Sequence, residues 1–314
     1  MKEKKFHSDP PIVLDMARAK KVLRPLYQAY QEQKQLFAHV TRLGNAPQQR
    51  YFPSGVVKGS VEHRRWLFFA AMTDRRAVSD EVYASHERLW RRAPKLYSKD
   101  VLGMPQHEIA KLLSGERVGS PHQSAKYWPR SARTLFDSFG GDPVTIYQKH
   151  GSVNGILASR RKENPLPGFG PKILSLLSLF LEELGLMVMP PDAFPVDVHV
   201  QRIALSTGIA IASAPITNES LENVLRPLLC ELCITEQWKP LELSHAMWFL
   251  GNRCCNGCYR NSAVKLLCPV YDLCRGSSST LSYFRHGFWD VTAVRHRKGD
   301  DRSFALPENP LFPL

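Results

Sequence analysis

Two short strings carry residues able to do chemistry. Leu166-Pro167-Gly168-Phe169-Gly170-Pro171-Lys172 sets two glycines in a tight turn between apolar helical segments and puts a lysine on the helix that follows. Pro195-Val196-Asp197-Val198-His199 puts an aspartate where a helix N-cap is expected. A glycine turn exposes backbone N–H groups that can hold a phosphate, and the start of the next helix adds its positive end. A lysine beside such a clamp, with a carboxylate to work against, suggests amine chemistry on DNA.

The cysteines form a third constellation. Five of the seven fall between positions 254 and 274: Cys254, Cys255, Cys258, Cys268 and Cys274. Thiols clustered this tightly point to a metal. A set of Cys255, Cys258, Cys268 and Cys274 reads Cys-x2-Cys-x9-Cys-x5-Cys, with Cys254 able to replace Cys255. Cys230 and Cys233 lie three apart on an apolar helix face and read as core thiols. An odd total and no secretory signal favour a reducing compartment, so the expected location is inside the cell with the DNA.

These residues need elements to position them. Apolar residues recur at spacings of three and four in Val13–Leu43, Val61–Met72, Val82–Trp90, His107–Leu113, Ala125–Phe139, Ile173–Leu186, Val200–Ile209, Leu221–Cys233 and Pro240–Leu250, which predicts a mostly helical chain. Asp142-Pro143 and Asn218-Glu219-Ser220 read as helix starts. Gly276-Ser277-Ser278-Ser279-Thr280 reads as a linker, and Tyr283–Val294 as a short strand or docked arm. The longest apolar stretch, Ile173–Leu186, is broken by serines and two glutamates, so no membrane span is expected.

Charge fits a polyanion partner. The 314 residues carry a formal net charge of +13, with ten Lys/Arg against four Asp/Glu in residues 1–50. Arg64-Arg65, Arg75-Arg76, Arg91-Arg92 and Arg160-Arg161-Lys162 are further basic clusters. Lysine and arginine release counterions from DNA, although each cluster alone is more often a solvated helix face.

Taken in order, hairpin, lysine and aspartate resemble the helix-hairpin-helix DNA glycosylase superfamily. Leu166–Lys172 is similar to the hairpin of endonuclease III, including its nucleophilic lysine. Phe194-Pro195-Val196-Asp197 resembles the same segment in plant 5-methylcytosine DNA glycosylases, and Pro195–His199 that of 8-oxoguanine DNA glycosylase. Phe139-Gly140-Gly141-Asp142-Pro143 resembles a turn between barrel helices of endonuclease III, and a weaker similarity runs through Leu67–Asp74. The likeness covers roughly residues 60–275. One departure is the spacing: Lys172 and Asp197 stand 25 positions apart, longer than is usual in the family. Another is that no glutamine precedes Thr73-Asp74; Ala70-Ala71-Met72 stands there instead.

The resemblance implies an all-α, two-lobed fold. Residues 57–190 would form a helical barrel with the hairpin, and 191–275 a second lobe with Asp197 and the cysteine loop. Residues 1–56 would pack on that lobe, and 276–314 would be a tail. It implies a monomeric enzyme on double-stranded DNA that excises a damaged or modified base. Lys172 would be the nucleophile, Asp197 the partner carboxylate, and Pro167, Gly168, Phe169 and Gly170 the DNA-binding turn. Several members carry a [4Fe–4S] cluster after a long helix, and Ser244–Arg253 with Cys268–Cys274 resembles that region. Here Lys265 stands where the second ligand is expected, so Cys255 and Cys258 would supply the missing pair. Zinc is the alternative metal. Two other functions share these residues: an enzyme acting on a methylated or hypermodified base in demethylation or defence, and a DNA-binding module without catalysis. Met72, Trp66, Phe68, Phe69, Tyr127 and Trp128 could wedge into or stack on DNA, but at helical spacing the core is their more frequent place.

Overall fold

The computed structural model describes residues 12–38, 46–74, 79–159, 165–255, 262–274, 282–284 and 288–290. Arg75-Arg76, Arg160-Arg161-Lys162, Cys258 and the Gly276–Thr280 stretch lie outside the described residues. The described chain is mostly helical, and no helix among the described residues is long and apolar enough to cross a membrane. It divides into two compact units, residues 45–195 and residues 1–44 with 196–314.

In chain order, β1 (Val13–Leu14) and α1 (Met16–Gln31) come first. The 45–195 unit contains α2 (Val61–Thr73), α3 (Ser79–Arg92), α4 (Gln106–Gly115), α5 (Pro121–Phe139), α6 (Pro143–His150), α7 (Val153–Ser159) and α8 (Pro171–Glu183). The other unit contains β1 and α1 with α9 (Val198–Thr207), β2 (Ala210–Ile211), β3 (Ile216–Thr217), α10 (Asn218–Thr235) and α11 (Pro240–Phe249). It ends with α12 (Ser262–Leu267), β4 (Ser282–Phe284) and β5 (Phe288–Asp290).

Helix α2 is the axis of the 45–195 unit. Ser60 caps it, its hydroxyl accepting from the His63 N–H at 3.3 Å. From Trp66 to Thr73 every residue is buried, so the helix has no solvent face in that stretch. Phe69 stacks on Trp128 of α5 with centroids 4.6 Å apart, and Phe68 stacks on Phe169 at 4.3 Å. Met72, Trp66 and Trp128 are buried in the same core. Helix α8 packs antiparallel to α2, since Lys172 at its start reaches Asp74 at the α2 end.

The unit made of residues 1–44 and 196–314 is organised around α9 and α11. Strand β1 pairs antiparallel with β2, Val13 opposite Ile211, and β5 lies between β3 and β4. Trp289 of β5 is fully buried and donates its indole N–H to the Gln201 side-chain oxygen at 2.6 Å. One expectation fails here. The spacing from Val13 to Leu43 predicts a single helix, but α1 stops at Gln31 and Gln33 and Gln35 take left-handed backbone (φ 54° and 53°). Glu32-Gln33-Lys34-Gln35 has no apolar side chain to bury, so nothing holds another helical turn to the core.

Two buried histidines govern the acid stability of the 45–195 unit. His86 lies between Thr73 Oγ1, 2.7 Å from Nε2, and the Tyr97 hydroxyl, 2.9 Å from Nδ1, and burial lowers its pKa to about 3. Burial and then the Lys58 charge lower His63 to about 4. An unfolded histidine takes up a proton near pH 6.5, so below that the unfolded chain binds more protons than the folded one. Stability is therefore complete above about pH 6.5. As the pH falls toward 4 it declines by about 1.4 kcal/mol per pH unit for each histidine. Thermal melts between pH 7.5 and 4.5 measure this, and a midpoint that stays level across pH 6.5 to 4.5 would contradict it.

Candidate functional site

The Leu166–Lys172 string forms a turn followed at once by a helix. The Phe169 N–H bonds the Leu166 carbonyl at 3.2 Å, with Pro167 second and Gly168, at φ 96°, third. Proline then a positive-φ glycine is the arrangement of a type II turn, and only glycine takes that third position without strain. Gly170 is the N-cap of α8 and offers no side chain to its first N–H groups; Pro171 stands at N1. Asp142 and Asp197 cap α6 and α9 with their carboxylates, so α8 differs in leaving its start to an outside anion. The turn is held from two sides. Ser131 Oγ donates to the Pro167 carbonyl at 2.9 Å and Thr134 Oγ1 to that of Pro165 at 2.8 Å. Phe169, fully buried, lies on Phe68.

Lys172 is half-buried in the first turn of α8, and its Nζ donates to the Asp74 backbone carbonyl at 3.2 Å. The Asp74 side chain is buried, 3.5 Å from the hydroxyls of Ser79 and Tyr83. Burial first, and then the Asp74 and Glu183 charges, raise the Tyr83 hydroxyl well above its usual pKa, so Tyr83 stays a donor toward that carboxylate. Sequence reasoning did not put Asp74 beside Lys172. The available signal was the Thr73-Asp74 pair at the end of an apolar helix.

Asp197 belongs to the other unit. Its Oδ1 accepts from the N–H groups of His199 at 2.9 Å and Val200 at 3.0 Å, which makes it the N-cap of α9. Its second oxygen is not needed for the cap, so capping leaves an acceptor available. His199 packs its ring edge-on to Trp248, centroids 6.0 Å apart.

The cysteine segment wraps the same helix. α11 runs into a π-helical turn, Leu250–Cys254, a local over-wound geometry often met at functional sites. Gly251 sits so close to α9 that an added Cβ would lie 2.6 Å from the His199 Cβ and 2.8 Å from its carbonyl oxygen. Arg202 donates to the Gly251 carbonyl at 3.2 Å. Burial lowers the pKa of its guanidinium, opposed by the negative groups beside it, Cys255 and Asp197. Further along, Cys274 Sγ donates to the Ser206 carbonyl at 3.4 Å, and Arg18 bonds the carbonyls of both Thr207 and Leu273. Cys254 and Cys268 are buried, Cys255 and Cys274 half-buried. Among the described residues no three His, Cys, Asp or Glu side chains are grouped to hold a metal, and Cys258 lies outside those residues.

The structure thus brings Pro167, Gly168, Phe169, Gly170 and Lys172 together in one unit, and Asp197, Arg202 and Cys255 together in the other. No family model and no curated protein matches the chain.

The Gly251 contact makes a specific demand. Gly251→Ala must push α9 and the π-helical turn apart, at a cost of about 1–3 kcal/mol. Urea unfolding compares the variant with wild type, and an unchanged midpoint would mean that the approach of Gly251 to His199 is not tight in solution.

Proposed function

We propose that the chain is a DNA glycosylase of the helix-hairpin-helix kind with AP-lyase activity, folded as two lobes, the second carrying a cysteine-ligated cluster. The observation that carries this reading is the Leu166–Phe169 turn leading into an uncapped helix start with Lys172 in its first turn. A nucleic-acid backbone phosphate suits that helix start. In this reading the backbone around Gly168 and Gly170 meets the phosphate, Pro167 shapes the turn, and Phe169 anchors it.

The chemistry then follows from the lysine. The target nucleotide leaves the stack, because its sugar carbon is shielded in the duplex. The deprotonated Lys172 amine adds its lone pair to C1′. The C1′–N bond breaks, and its electron pair leaves with the base, which takes a proton. The sugar ring opens to a protonated imine; loss of a C2′ proton then expels the 3′-phosphate by β-elimination. A carbonyl such as that of Asp74 orients the amine through an N–H and leaves the lone pair for attack. Asp197 balances the positive charge that develops on the sugar and relays protons.

Cys255, Cys258, Cys268 and Cys274 would hold a [4Fe–4S] cluster, with Cys254 the substitute for Cys255. Four thiolates also suit zinc. Bound metal would cross-link the segment that packs on α9, a structural role and not a chemical one at the sugar.

Two measurements test these proposals. Borohydride reduction with duplexes bearing oxidised, deaminated, alkylated, methylated or hypermodified bases should trap wild type covalently and leave Lys172→Ala untrapped. Salt-sensitive DNA binding with no base release from any of these duplexes would identify a binding module instead. Purified protein should contain iron and sulfide with visible charge-transfer absorbance, and Cys268→Ser should lose both. Stoichiometric zinc would replace the cluster assignment, and absence of either metal would remove it.

A further inference from the structure

A second site lies in the 45–195 unit, at the far end of α2 from Lys172. His63 and Asp74 mark the two ends of that helix, about 16 Å apart at 1.5 Å per residue. Beside His63 is a cavity of ≈ 170 Å³. Its apolar walls are Phe52, Leu67, Phe180 and Leu184, and its polar lining includes His63, Lys58, Gln48 and Glu183.

His63 is the unusual member. It is 3 % exposed, and its Nδ1 accepts the Gly59 N–H at 3.1 Å. That bond puts the proton of the neutral ring on Nε2. Nε2 is buried and has no hydrogen-bond partner. A buried donor without an acceptor costs roughly 1–3 kcal/mol, and natural cores seldom keep one. Burial and the Lys58 charge both disfavour a second proton, so the ring remains a neutral donor at ordinary pH.

The surroundings set the chemistry of what would accept from it. An apolar cavity of about 150 Å³ holds a benzene-sized molecule, so this one suits a single ring. Phe52 meets the His63 ring edge-on at 4.6 Å, leaving a flat apolar wall. Gln48 donates to both Glu183 oxygens, at 2.8 and 3.1 Å, and fixes a carboxylate in the lining. Lys58 and Glu183 offset one another in charge. A carboxylate ligand would meet Glu183, and a cation would meet Lys58.

We propose that this cavity is a binding site for a small, uncharged, single-ring molecule carrying a carbonyl group, which accepts the His63 Nε2–H while its ring lies against Phe52, Phe180 and Leu184. The site is independent of the glycosylase reading and should be unchanged in Lys172→Ala.

The test uses the full chain labelled with ¹⁵N-histidine and three probes of similar size: 2-pyridone, benzoate and toluene. The His63 Nε2 resonance is assigned by its displacement in Lys58→Ala, where an exposed side chain is removed. 2-Pyridone should shift that resonance saturably, with toluene and benzoate binding at least roughly tenfold more weakly. Leu184→Trp, which fills the wall, should abolish the shift. Absence of a saturable 2-pyridone shift in wild type would overturn the proposal. So would toluene binding as tightly as 2-pyridone, or benzoate binding more tightly.

Discussion

The position of Lys172 depends on Phe169 lying face to face on Phe68. Both rings are fully buried, and Phe68 belongs to a helix with no solvent side over its second half. The turn before α8 therefore cannot slide without opening the core, where voids are costly. Ser131 and Thr134 hold the carbonyls of the same turn from α5. A lysine required to reach one atom of a ligand needs this kind of support, because a flexible side chain is useful only if its root is rigid. The uncapped helix start and the amine are then two consequences of one anchored turn.

In the other unit the corresponding brace is α9. Its N-cap is Asp197, its flank touches Gly251, and its last turn accepts bonds from Cys274 and Arg18. The cysteine-bearing segment and the aspartate thus share one rigid element. Tension or release in that segment is transmitted to the carboxylate through a single helix about 15 Å long. Such an arrangement gives a structural metal a physical route to the acid residue without touching it.

Much of the local structure was legible in the residue pattern. The helices at Val61–Thr73, Pro121–Phe139, Asn218–Thr235 and Pro240–Phe249 follow runs of apolar residues at spacings of three and four. Asp142 and Asp197 cap helices as their types and positions suggested, because a short carboxylate reaches the N–H two residues on. Trp66, Phe68, Phe69 and Trp128 are core residues, as helical spacing favours. The α1 break at Gln31 was not legible, since Leu36 and Phe37 are buried again beyond it and continue the apolar pattern across a polar gap.

Sequence alone determined which residues could do chemistry and which short segments carry them, because turn type, capping and helical face are set by neighbours within a few positions. Only tertiary structure decided that Asp74 stands beside Lys172, that Gly251 lies against His199, and that His63 turns a lone N–H into a cavity. Those relations join residues 98, 52 and, across Leu184, 121 positions apart. No local rule reaches so far; they follow from how buried helices fill space.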